Sequence, residues 1–255
     1  MNKLEEILAR ARVEVARRKQ EVPLETVANA LPRRAFVDAL TRPGLSLIAE
    51  HKRRSPSAGA IREDLELEDV VGAYERGGAL ALSILTEGPS FGGSLEDLRA
   101  ARAASSLPIL RKDFIVDPYQ VQESLAWGAD AVLLIVAALS ERELVVLHDL
   151  AADLGLAALV EVHDQLELEA AIDVGAKLVG INNRDLTTLA VDTNRTFELL
   201  GQLRGGAVIV AESGYSTREQ LDELAGAGLD AVLIGEALMR APDIEAATRE
   251  LTRAP

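Results

Sequence analysis

Residues 48–59 read IAEHKRRSPSAG, an apolar segment that passes directly into charged and hydroxyl residues. Side chains alternate between the two faces of a strand, so Glu50 and Lys52 are predicted to share one face and His51 to occupy the other. A carboxylate and an ammonium at the end of a buried strand are costly to desolvate unless something uses them. A basic turn exposed to solvent would give the same local sequence, but this transition recurs down the chain.

Short apolar segments alternate with amphipathic segments at intervals of a few tens of residues. The predicted strands are Leu45–Glu50, Ala79–Thr86, Pro108–Lys112, Ala131–Ala137, Ala157–Val162, Leu178–Asn182, Val208–Glu212 and Ala231–Gly235. The predicted helices between and after them are Leu67–Arg76, Ser94–Ala104, Pro118–Trp127, Ser140–Leu154, Gln165–Val174, Thr193–Leu203, Thr217–Ala225 and Ile244–Leu251. The strands are rich in Val, Ile, Leu and Ala without polar alternation, which is typical of parallel strands covered on both faces.

The ends of the predicted helices fit the same alternation. Many of them close with a Gly that leads into the next strand, as in AWGADAVLL and DLGLAALV, and several open on Ser, Thr or Asp. Eight successive β-α units predict an α/β fold, a (β/α)8 TIM barrel that forms a single domain over residues 1–255. A doubly wound open sheet is the rival, but it seldom contains eight such even repeats.

Residues 1–44 precede the first strand and are predicted to form an N-terminal helical extension. Residues 2–20 have the charged, amphipathic pattern of a helix, and shorter helical pieces are predicted near Leu24–Ala30 and Ala35–Leu40. We expect this extension to act as a lid or a plug for the barrel.

The composition excludes several classes of protein. A net charge of −14 argues against nucleic acid as a partner, and no apolar run approaches the roughly 20 residues of a membrane span. The N-terminus has no apolar signal core, and the absence of cysteine excludes disulfides and thiolate metal sites. The three histidines show no metal-ligand spacing. Positive charge is concentrated in HKRRS and LRKDF, so we expect a small anionic ligand. We also expect the protein to be a cytoplasmic monomer.

In a (β/α)8 barrel the active site lies at the carboxyl ends of the strands. The residues at these ends are Glu50, Lys52 and Ser55, then Thr86, Glu87 and Phe91, then Lys112 and Phe114, then Glu161 and His163, then Asn182 and Arg184, then Glu212, Ser213 and Gly214, and finally Gly235 and Glu236. Alternation predicts that Lys112 points into the barrel and Arg111 toward the helices. A solvated strand end would explain any one of these residues, but coincidence explains so many of them poorly.

The last two strands are followed by small residues directly before predicted helices, in AESGYS and LIGEAL. Backbone N–H groups at helix N-termini bind anions, and phosphate sites after strands 7 and 8 recur in this fold. Ser213, Gly214, Gly235 and Glu236 are therefore the predicted phosphate-binding residues. Only the amide of Glu236 is expected to contribute, because its carboxylate would repel a phosphate. Ordinary glycine turns would look the same in sequence.

Seven segments, in order from about Ile48 to Met239, resemble the indole-3-glycerol phosphate synthases of tryptophan biosynthesis. They are IAEHKRRSPS, ALSILTE with FGGS, PILRKDFIVDPYQ, LVEVHD, GINNRDL, AESGYS and LIGEALM. The resemblance implies ring closure of 1-(2-carboxyphenylamino)-1-deoxyribulose 5-phosphate to indole-3-glycerol phosphate, with loss of carbon dioxide and water. It implies a phosphorylated small-molecule substrate and neither a metal nor an organic cofactor. A monofunctional chain is expected.

The resemblance also implies roles for individual residues. Lys112 matches the general acid for the ribulose carbonyl, and Glu161 matches the carboxyl group of the dehydration step. Lys52 matches the lysine that holds the substrate carboxylate, and Glu50 would orient Lys52. Among the remaining positions, Ser55, Asn182 and Arg184 match anchors of the carboxylate and hydroxyls, Phe91, Phe114 and Leu133 would line the slot for the anthranilate ring, and Ser213, Gly214, Gly235 and Glu236 match the phosphate loops. Plain core packing explains the two Phe residues about equally well.

Three positions, His51, Ala58 and Tyr215, depart from the family pattern, and none of them has a proposed catalytic role. Two other functions are open from the sequence. An Amadori-type isomerase would rely on an Asp or Cys acid–base pair, whereas this chain has no Cys and carries Lys at strands 1 and 3. A barrel that binds a phosphorylated metabolite without converting it, as a sensor or scaffold, is the other alternative.

Overall fold

Eight parallel strands close into a barrel in the order of the chain. The structure is a computed structural model that describes residues 3–22, 31–203 and 206–253. The barrel strands, β1 to β8, are Ser46–His51, Ala81–Leu85, Ile109–Lys112, Ala131–Ile135, Ala157–Val162, Leu178–Asn182, Val208–Glu212 and Ala231–Ile234. Strand β8 pairs with β1 in parallel, with Ala231 opposite Ser46, and this pairing closes the barrel. The predicted (β/α)8 fold is confirmed, and the open-sheet alternative is wrong.

Helices separate the strands and surround them. Helices α1 to α12 are Lys3–Glu21, Phe36–Leu40, Leu67–Arg76, Gly88–Phe91, Leu95–Ala104, Pro118–Ala126, Glu141–Asp153, Gln165–Asp173, Asn194–Leu200, Arg218–Ala227, Glu236–Met239 and Ile244–Thr252. The boundaries agree with the predicted ones within a few residues. The helical piece expected at 24–30 lies outside the described residues. Within the ranges that are described, no helix combines the length and apolarity that crossing a membrane requires.

The strand predicted over Ala131–Ala137 ends at Ile135, and Val136–Ala138 form a 3-10 turn. Three further small elements are absent from the predicted ranges. A hairpin of two-residue strands, Arg54–Ser55 and Gly59–Ala60, follows β1 directly. Helix α4 follows β2, and helix α11 follows β8, each with a length of four residues. All three lie beyond the carboxyl ends of strands, where they shape the mouth of the barrel.

The strands are buried on both faces, which explains why their sequences lack polar alternation. Outward-facing residues such as Leu82, Val132 and Val160 belong to the apolar layer between the barrel and the helices. Inward-facing residues such as Ile48 and Leu110 belong to a second cluster inside the barrel.

Helices α1 and α2 occupy different ends of the barrel. Leu40 in α2 packs in the inner cluster, and its carbonyl accepts a hydrogen bond of 3.1 Å from Ser46 Oγ at the start of β1. Helix α2 therefore fills the amino end. In α1, Leu4 and Ile7 line the cavity at the carboxyl end. The N-terminal extension thus supplies both a plug and part of a cover.

Candidate active site

A cavity of about 480 Å³ opens at the carboxyl ends of the strands. It brings together all the residues predicted for the site, namely Glu50, Lys52, Ser55, Phe91, Lys112, Phe114, Glu161, Asn182, Arg184, Ser213, Gly214, Gly235 and Glu236. Leu133 also lines it, as do Glu87 and Glu212. Thr86 and His163, which were also predicted at strand ends, do not belong to the cavity wall within the described part of the chain.

Glu50 at the end of β1 and Lys52 just after the strand form an ion pair, with 2.9 Å between Oε1 and Nζ. Ser83 on β2 donates a hydrogen bond of 3.1 Å to the other carboxylate oxygen. Burial acts to raise the pKa of Glu50, but Lys52 and Lys112 outweigh it and hold the pKa below its ordinary value. A Cβ at position 235 would lie 2.7 Å from Glu50 Oε1, so Gly235 leaves room for this carboxylate.

His51 lies between the members of this pair in sequence but is not part of the cavity wall. Its side chain is buried, and its Nε2 atom has no hydrogen-bond partner within the described residues. Burial, with a smaller contribution from Arg53, lowers the pKa of His51 to about 4. The imidazole is therefore neutral near pH 7, as a structural residue on the outer face of β1 should be.

Lys112 extends from β3 toward two carboxylates across the barrel. Its Nζ atom lies 2.9 Å from Glu161 Oε2 on β5 and 3.3 Å from Glu212 Oε2 on β7. Burial acts to lower the pKa of Lys112, but Glu161, Glu212 and Glu50 outweigh it and raise the pKa. The ammonium therefore keeps its proton at neutral pH.

The two carboxylates beside Lys112 are not equivalent. Burial acts to raise the pKa of Glu161, but Lys112 and His163 outweigh it and hold the pKa well below its usual range. Burial raises the pKa of Glu212 to about 8, with Glu161 adding to the effect and Lys112 opposing it. Oε1 of Glu212 is buried and has no hydrogen-bond partner among the described residues. At neutral pH the site thus contains an ionised Glu161 and a protonated Glu212.

Glu212 lines the cavity and contacts Lys112, whereas the sequence placed it at the end of strand 7 without assigning it a role. Alternation was the available signal, since Val210 on the same strand packs inside the barrel and Glu212 shares its face. Gly180 on β6 makes the position possible, because a Cβ there would lie 2.2 Å from Glu212 Oε1.

The predicted anchors of the carboxylate and hydroxyls line the cavity. Ser55 Oγ accepts a hydrogen bond of 3.1 Å from the amide of Ala58 within the hairpin. Asn182 Oδ1 accepts one of 3.0 Å from the amide of Arg184, whose guanidinium donates one of 3.1 Å to the carbonyl of Leu189. Only the backbone amide of Ala58 takes part in this hydrogen bond, so the departure of Ala58 from the family pattern leaves the turn intact.

Two aromatic rings form an apolar part of the wall. The centroids of Phe91 and Phe114 lie 6.5 Å apart with an interplanar angle of 41°, a tilted arrangement within the range of favourable aromatic pairs. Glu87 fixes Phe91, because its carboxylate accepts hydrogen bonds from the amides of Ser90 and Phe91 at the start of α4. Glu87, which was predicted at the end of strand 2, thus serves as the N-cap of helix α4.

The loop after β7 has an unusual backbone. Ser213 and Gly214 both adopt positive φ angles, 65° and 95°, and a non-glycine residue in this region is strained. A buried polar network holds the loop, because Asn183 Nδ2 donates to the carbonyl of Ser213 at 3.0 Å and to Tyr215 Oη at 3.1 Å. Tyr215 in turn donates to Thr196 at 3.0 Å. Tyr215, the third departure from the family pattern, therefore supports this loop.

After β8, helix α11 begins at Glu236. The amides of its first turn have no carbonyl acceptor inside the helix. The carboxylate of Glu236 accepts a hydrogen bond of 3.0 Å from Nε of Arg240. The carboxylate of Glu236 is therefore paired with a cation of its own helix.

Arg111 points away from the cavity, as alternation predicts. Its fully buried guanidinium contacts Glu123 and Asp113, each at 2.9 Å, and Thr86 Oγ1 at 3.1 Å. Thr86 is therefore part of this network behind β3. The network fixes the strand that carries Lys112. Across residues 3–22, 31–203 and 206–253, no group of three or more His, Asp or Glu side chains is placed to hold a metal ion.

A closed parallel barrel with buried acid–base groups at the carboxyl ends of its strands defines a (β/α)8-barrel enzyme. Among solved structures, 3-hexulose-6-phosphate synthase from Salmonella typhimurium matches with a TM-score of 0.62 at 16% identity. The match covers 81% of this chain and 96% of that chain. At this identity the likeness supports the fold alone.

Sequence comparison gives the family. The family model of indole-3-glycerol phosphate synthase matches residues 4–251. The indole-3-glycerol phosphate synthase of Mycobacteroides abscessus is 46% identical, over 98% of this chain and 94% of the relative. That of Rhizorhabdus wittichii is also 46% identical, over 98% of each chain. The chain belongs to the indole-3-glycerol phosphate synthase family, so the resemblance seen in the sequence is confirmed.

Proposed function

We propose that this protein converts 1-(2-carboxyphenylamino)-1-deoxyribulose 5-phosphate to indole-3-glycerol phosphate, with release of carbon dioxide and water. The observation that carries the proposal is the position of the Lys112 ammonium, 2.9 Å from a carboxyl oxygen of Glu161 and 3.3 Å from one of Glu212. Membership of the family and a cavity of about 480 Å³ support it. Sites for small molecules have volumes of about 300–1,000 Å³.

The proposed binding mode places the two anionic groups of the substrate at separate parts of the wall. Lys52 holds the substrate carboxylate, and the loop of Ser213 and Gly214 with the start of α11 holds the phosphate. The anthranilate ring lies against Phe91 and Phe114. The remaining predicted anchors, for the carboxylate and the ribulose hydroxyls, are Ser55, Asn182 and Arg184.

Ring closure is the first chemical step. The ring carbon that carries the carboxylate attacks the ribulose carbonyl carbon, and the Lys112 ammonium donates a proton to the carbonyl oxygen, which becomes a hydroxyl group. Lys112 is left as an amine, and the acid form of Glu212, 3.3 Å away, is placed to return a proton to it. A positioned acid of this kind contributes about 10²–10⁴-fold to a rate.

Decarboxylation and dehydration complete the reaction. The bond between the ring and the carboxylate breaks, carbon dioxide leaves, and the electron pair restores the aromatic ring. The new hydroxyl then leaves as water with a proton from an acid, and the neighbouring methylene carbon loses a proton to a base. Glu161, which is ionised, suits the base, and the ammonium of Lys52 suits the acid.

Turnover of the synthetic substrate, followed by indole fluorescence, tests the proposal. Wild-type protein should produce indole fluorescence, and Lys112→Met should reduce kcat by about 10²–10⁴-fold while KM stays close to that of wild type. Lys177→Met, which changes an exposed lysine before β6, is the matched control and should be fully active.

Other outcomes would redirect the assignment. Binding of the substrate by wild-type protein without turnover would leave a phosphate-ligand binder. Turnover that survives Lys112→Met would move the acid to Lys52. Isomerisation of an aminoaldose phosphate, without indole formation, would favour the Amadori-type alternative.

We also propose that the chain acts as a monomer in the cytoplasm. The net charge of −14 favours solubility and opposes self-association, and the absence of cysteine suits a reducing compartment. Light scattering behind a sizing column should give a mass near 27.3 kDa, and a dimer mass would contradict the first part. Fractionation of cells that produce the protein tests the second part.

A further inference from the structure

His163, the second residue after Glu161, is held between two carboxylates. Its Nδ1 atom lies 2.9 Å from Oε2 of Glu167 in α8, and the same oxygen accepts a hydrogen bond of 2.8 Å from the amide of His163. On the other side of the ring, Nε2 lies 3.4 Å from Oε1 of Glu161, a charge contact rather than a short hydrogen bond. Only 10% of the His163 side chain and 1% of the Glu161 side chain are exposed, so water screens this contact poorly.

Two carboxylates beside one ring favour its charged form. Nδ1 makes a hydrogen bond with Glu167, whereas Nε2 has no hydrogen-bond partner among the described residues, so Glu161 at 3.4 Å acts on the ring through charge alone. Burial acts to lower the pKa of His163, but Glu161 and Glu167 outweigh it and raise the pKa to about 10.

Lys112, on the other oxygen of Glu161, is a nearby cation that opposes this charge, whereas the groups on the remaining elements do not. The carboxylate of Asp164 accepts a hydrogen bond of 2.9 Å from the amide of Glu167 and caps α8. Strand β6 carries the uncharged Asn182 one position beyond Ile181, which pairs with Val162. The turn 136–138, which packs against β5 and α8, contains only Val and Ala.

His163 makes the two carboxylates beside Lys112 unequal. Glu161 has a cation at each oxygen, Lys112 at 2.9 Å and His163 at 3.4 Å. Among the described residues, the one cation beside Glu212 is Lys112. The Oε1 atom of Glu212 faces Gly180, which has no side chain, and has no hydrogen-bond partner in the described part of the chain. Two buried carboxylates beside one lysine cannot both ionise at low cost, so the proton goes to the one with fewer cations.

We propose that His163 is a positioning residue which, as an imidazolium between Glu167 and Glu161, keeps Glu161 ionised and directs the proton of the site to Glu212. Because His163 is not part of the described cavity wall, it acts through Glu161 and not on the substrate. The role in the reaction rests on the proposed function, since His163 would set which carboxyl group beside Lys112 is the base and which is the acid.

Titration of the free protein tests the proposal without turnover. The carboxyl ¹³C signals of Glu161 and Glu212 are followed by NMR in wild type and His163→Gln, with Glu161→Gln and Glu212→Gln used for assignment. In wild type, Glu212 should titrate near pH 8 and Glu161 should stay ionised to low pH. In His163→Gln the midpoint of Glu161 should rise by about one pH unit or more, because its carboxylate loses one of its two cations.

Two further variants keep the test decisive. His148→Gln, which changes a partly exposed histidine in α7, is the control and should leave both midpoints unchanged. Glu167→Gln keeps the ring of His163 but removes one carboxylate. It should lower the midpoint of the ring from about 10 and shift Glu161 in the same direction as His163→Gln. A midpoint of Glu161 that does not respond to either variant would overturn the proposal.

The pH profile of kcat/KM provides the catalytic arm. His163→Gln should lose activity at acidic pH values at which wild type is still active, because Glu161 then takes up a proton. A drop in activity by the same factor at every pH would indicate a structural role and overturn the proposal. If wild type shows no turnover, the proposed function fails, whereas the titrations still decide the role of His163.

Discussion

The ammonium of Lys112 lies 3.3 Å from a carboxylate oxygen of Glu212, yet this contact does not ionise Glu212. Burial of the carboxyl group and the negative charge of Glu161 raise the pKa of Glu212 to about 8. Lys112 contacts both carboxyl groups, and it lies closer to Glu161, at 2.9 Å. Glu212 is therefore a protonated carboxyl group next to the Lys112 ammonium. This position suits the return of a proton to Lys112 during turnover, but it costs stability.

The first prediction is that Glu212→Gln stabilises the protein in a pH-dependent way. Wild-type Glu212 binds a proton in the folded state up to about pH 8, whereas in the unfolded chain it loses that proton near its ordinary value of 4.5. The folded state thus binds more protons over this range, and its stability falls as pH rises. The variant should melt close to wild type at pH 5 and clearly above it at pH 8 by circular dichroism. A difference in Tm that is constant with pH would contradict this assignment.

The second prediction separates Lys52 from Lys112. Lys52→Met should raise KM by about 10- to 100-fold, because a hydrogen bond to a charged group is worth about 1.5–3 kcal/mol. Its effect on kcat should be smaller than that of Lys112→Met, since Lys52 is proposed to hold the substrate carboxylate. Steady-state kinetics measures both constants. Arg54→Met, on the exposed side of the hairpin, is the control for loss of a positive charge. An equal effect of Lys52→Met and Arg54→Met on KM would contradict the role of Lys52.

The third prediction concerns stability away from the site. Arg102 Nη1 lies 2.6 Å from Asp130 Oδ2, and both side chains are buried. Asp130 also accepts hydrogen bonds from the amides of Arg34 and Ile109, so it links the N-terminal extension to β3. Arg102→Met leaves this carboxylate without its cation and should cost about 3–5 kcal/mol of unfolding free energy.

Urea denaturation measures this cost as a lower midpoint. Arg249→Met, which removes an exposed ion pair with Glu245, is the matched control and should leave the midpoint almost unchanged. Similar midpoints for both variants would show that the Arg102–Asp130 pair does not stabilise the barrel.

Much of this molecule could be predicted from its sequence because each barrel strand is short, apolar and flanked by helix caps. Alternation along β3 correctly separated Lys112, which enters the cavity, from Arg111, which enters the network behind the strand. The same argument placed Glu50 and Lys52 together and His51 apart. These predictions succeeded because they depend only on local geometry within one strand.

The rest depends on distances between strands, which the sequence does not contain. Glu212 belongs to the site because β5 and β7 bring it and Glu161 to one lysine, and because Gly180 on β6 leaves the space. Thr86 ends a strand as predicted but turns to Arg111, since that buried guanidinium needs acceptors.

The last prediction concerns helix α1, which lines the cavity at Leu4 and Ile7 and is tied down at its other end. There, Arg18 Nε lies 2.8 Å from Glu123 Oε1, and Glu123 is buried. One residue further along, Lys19 forms an exposed pair with Asp117 at 3.0 Å.

Arg18→Met should raise KM by several-fold with a smaller change in kcat, whereas Lys19→Met should change neither. Arg18 pairs with a buried carboxylate, so its loss loosens the contact between α1 and α6, and the cavity wall formed by Leu4 and Ile7 becomes less well fixed. The lysine pair is screened by water and contributes little to holding the helix. Steady-state kinetics of both variants decides the matter. A loss of kcat at unchanged KM in Arg18→Met would mean that this contact acts through Arg111 and β3 on Lys112 rather than through the cover of the cavity.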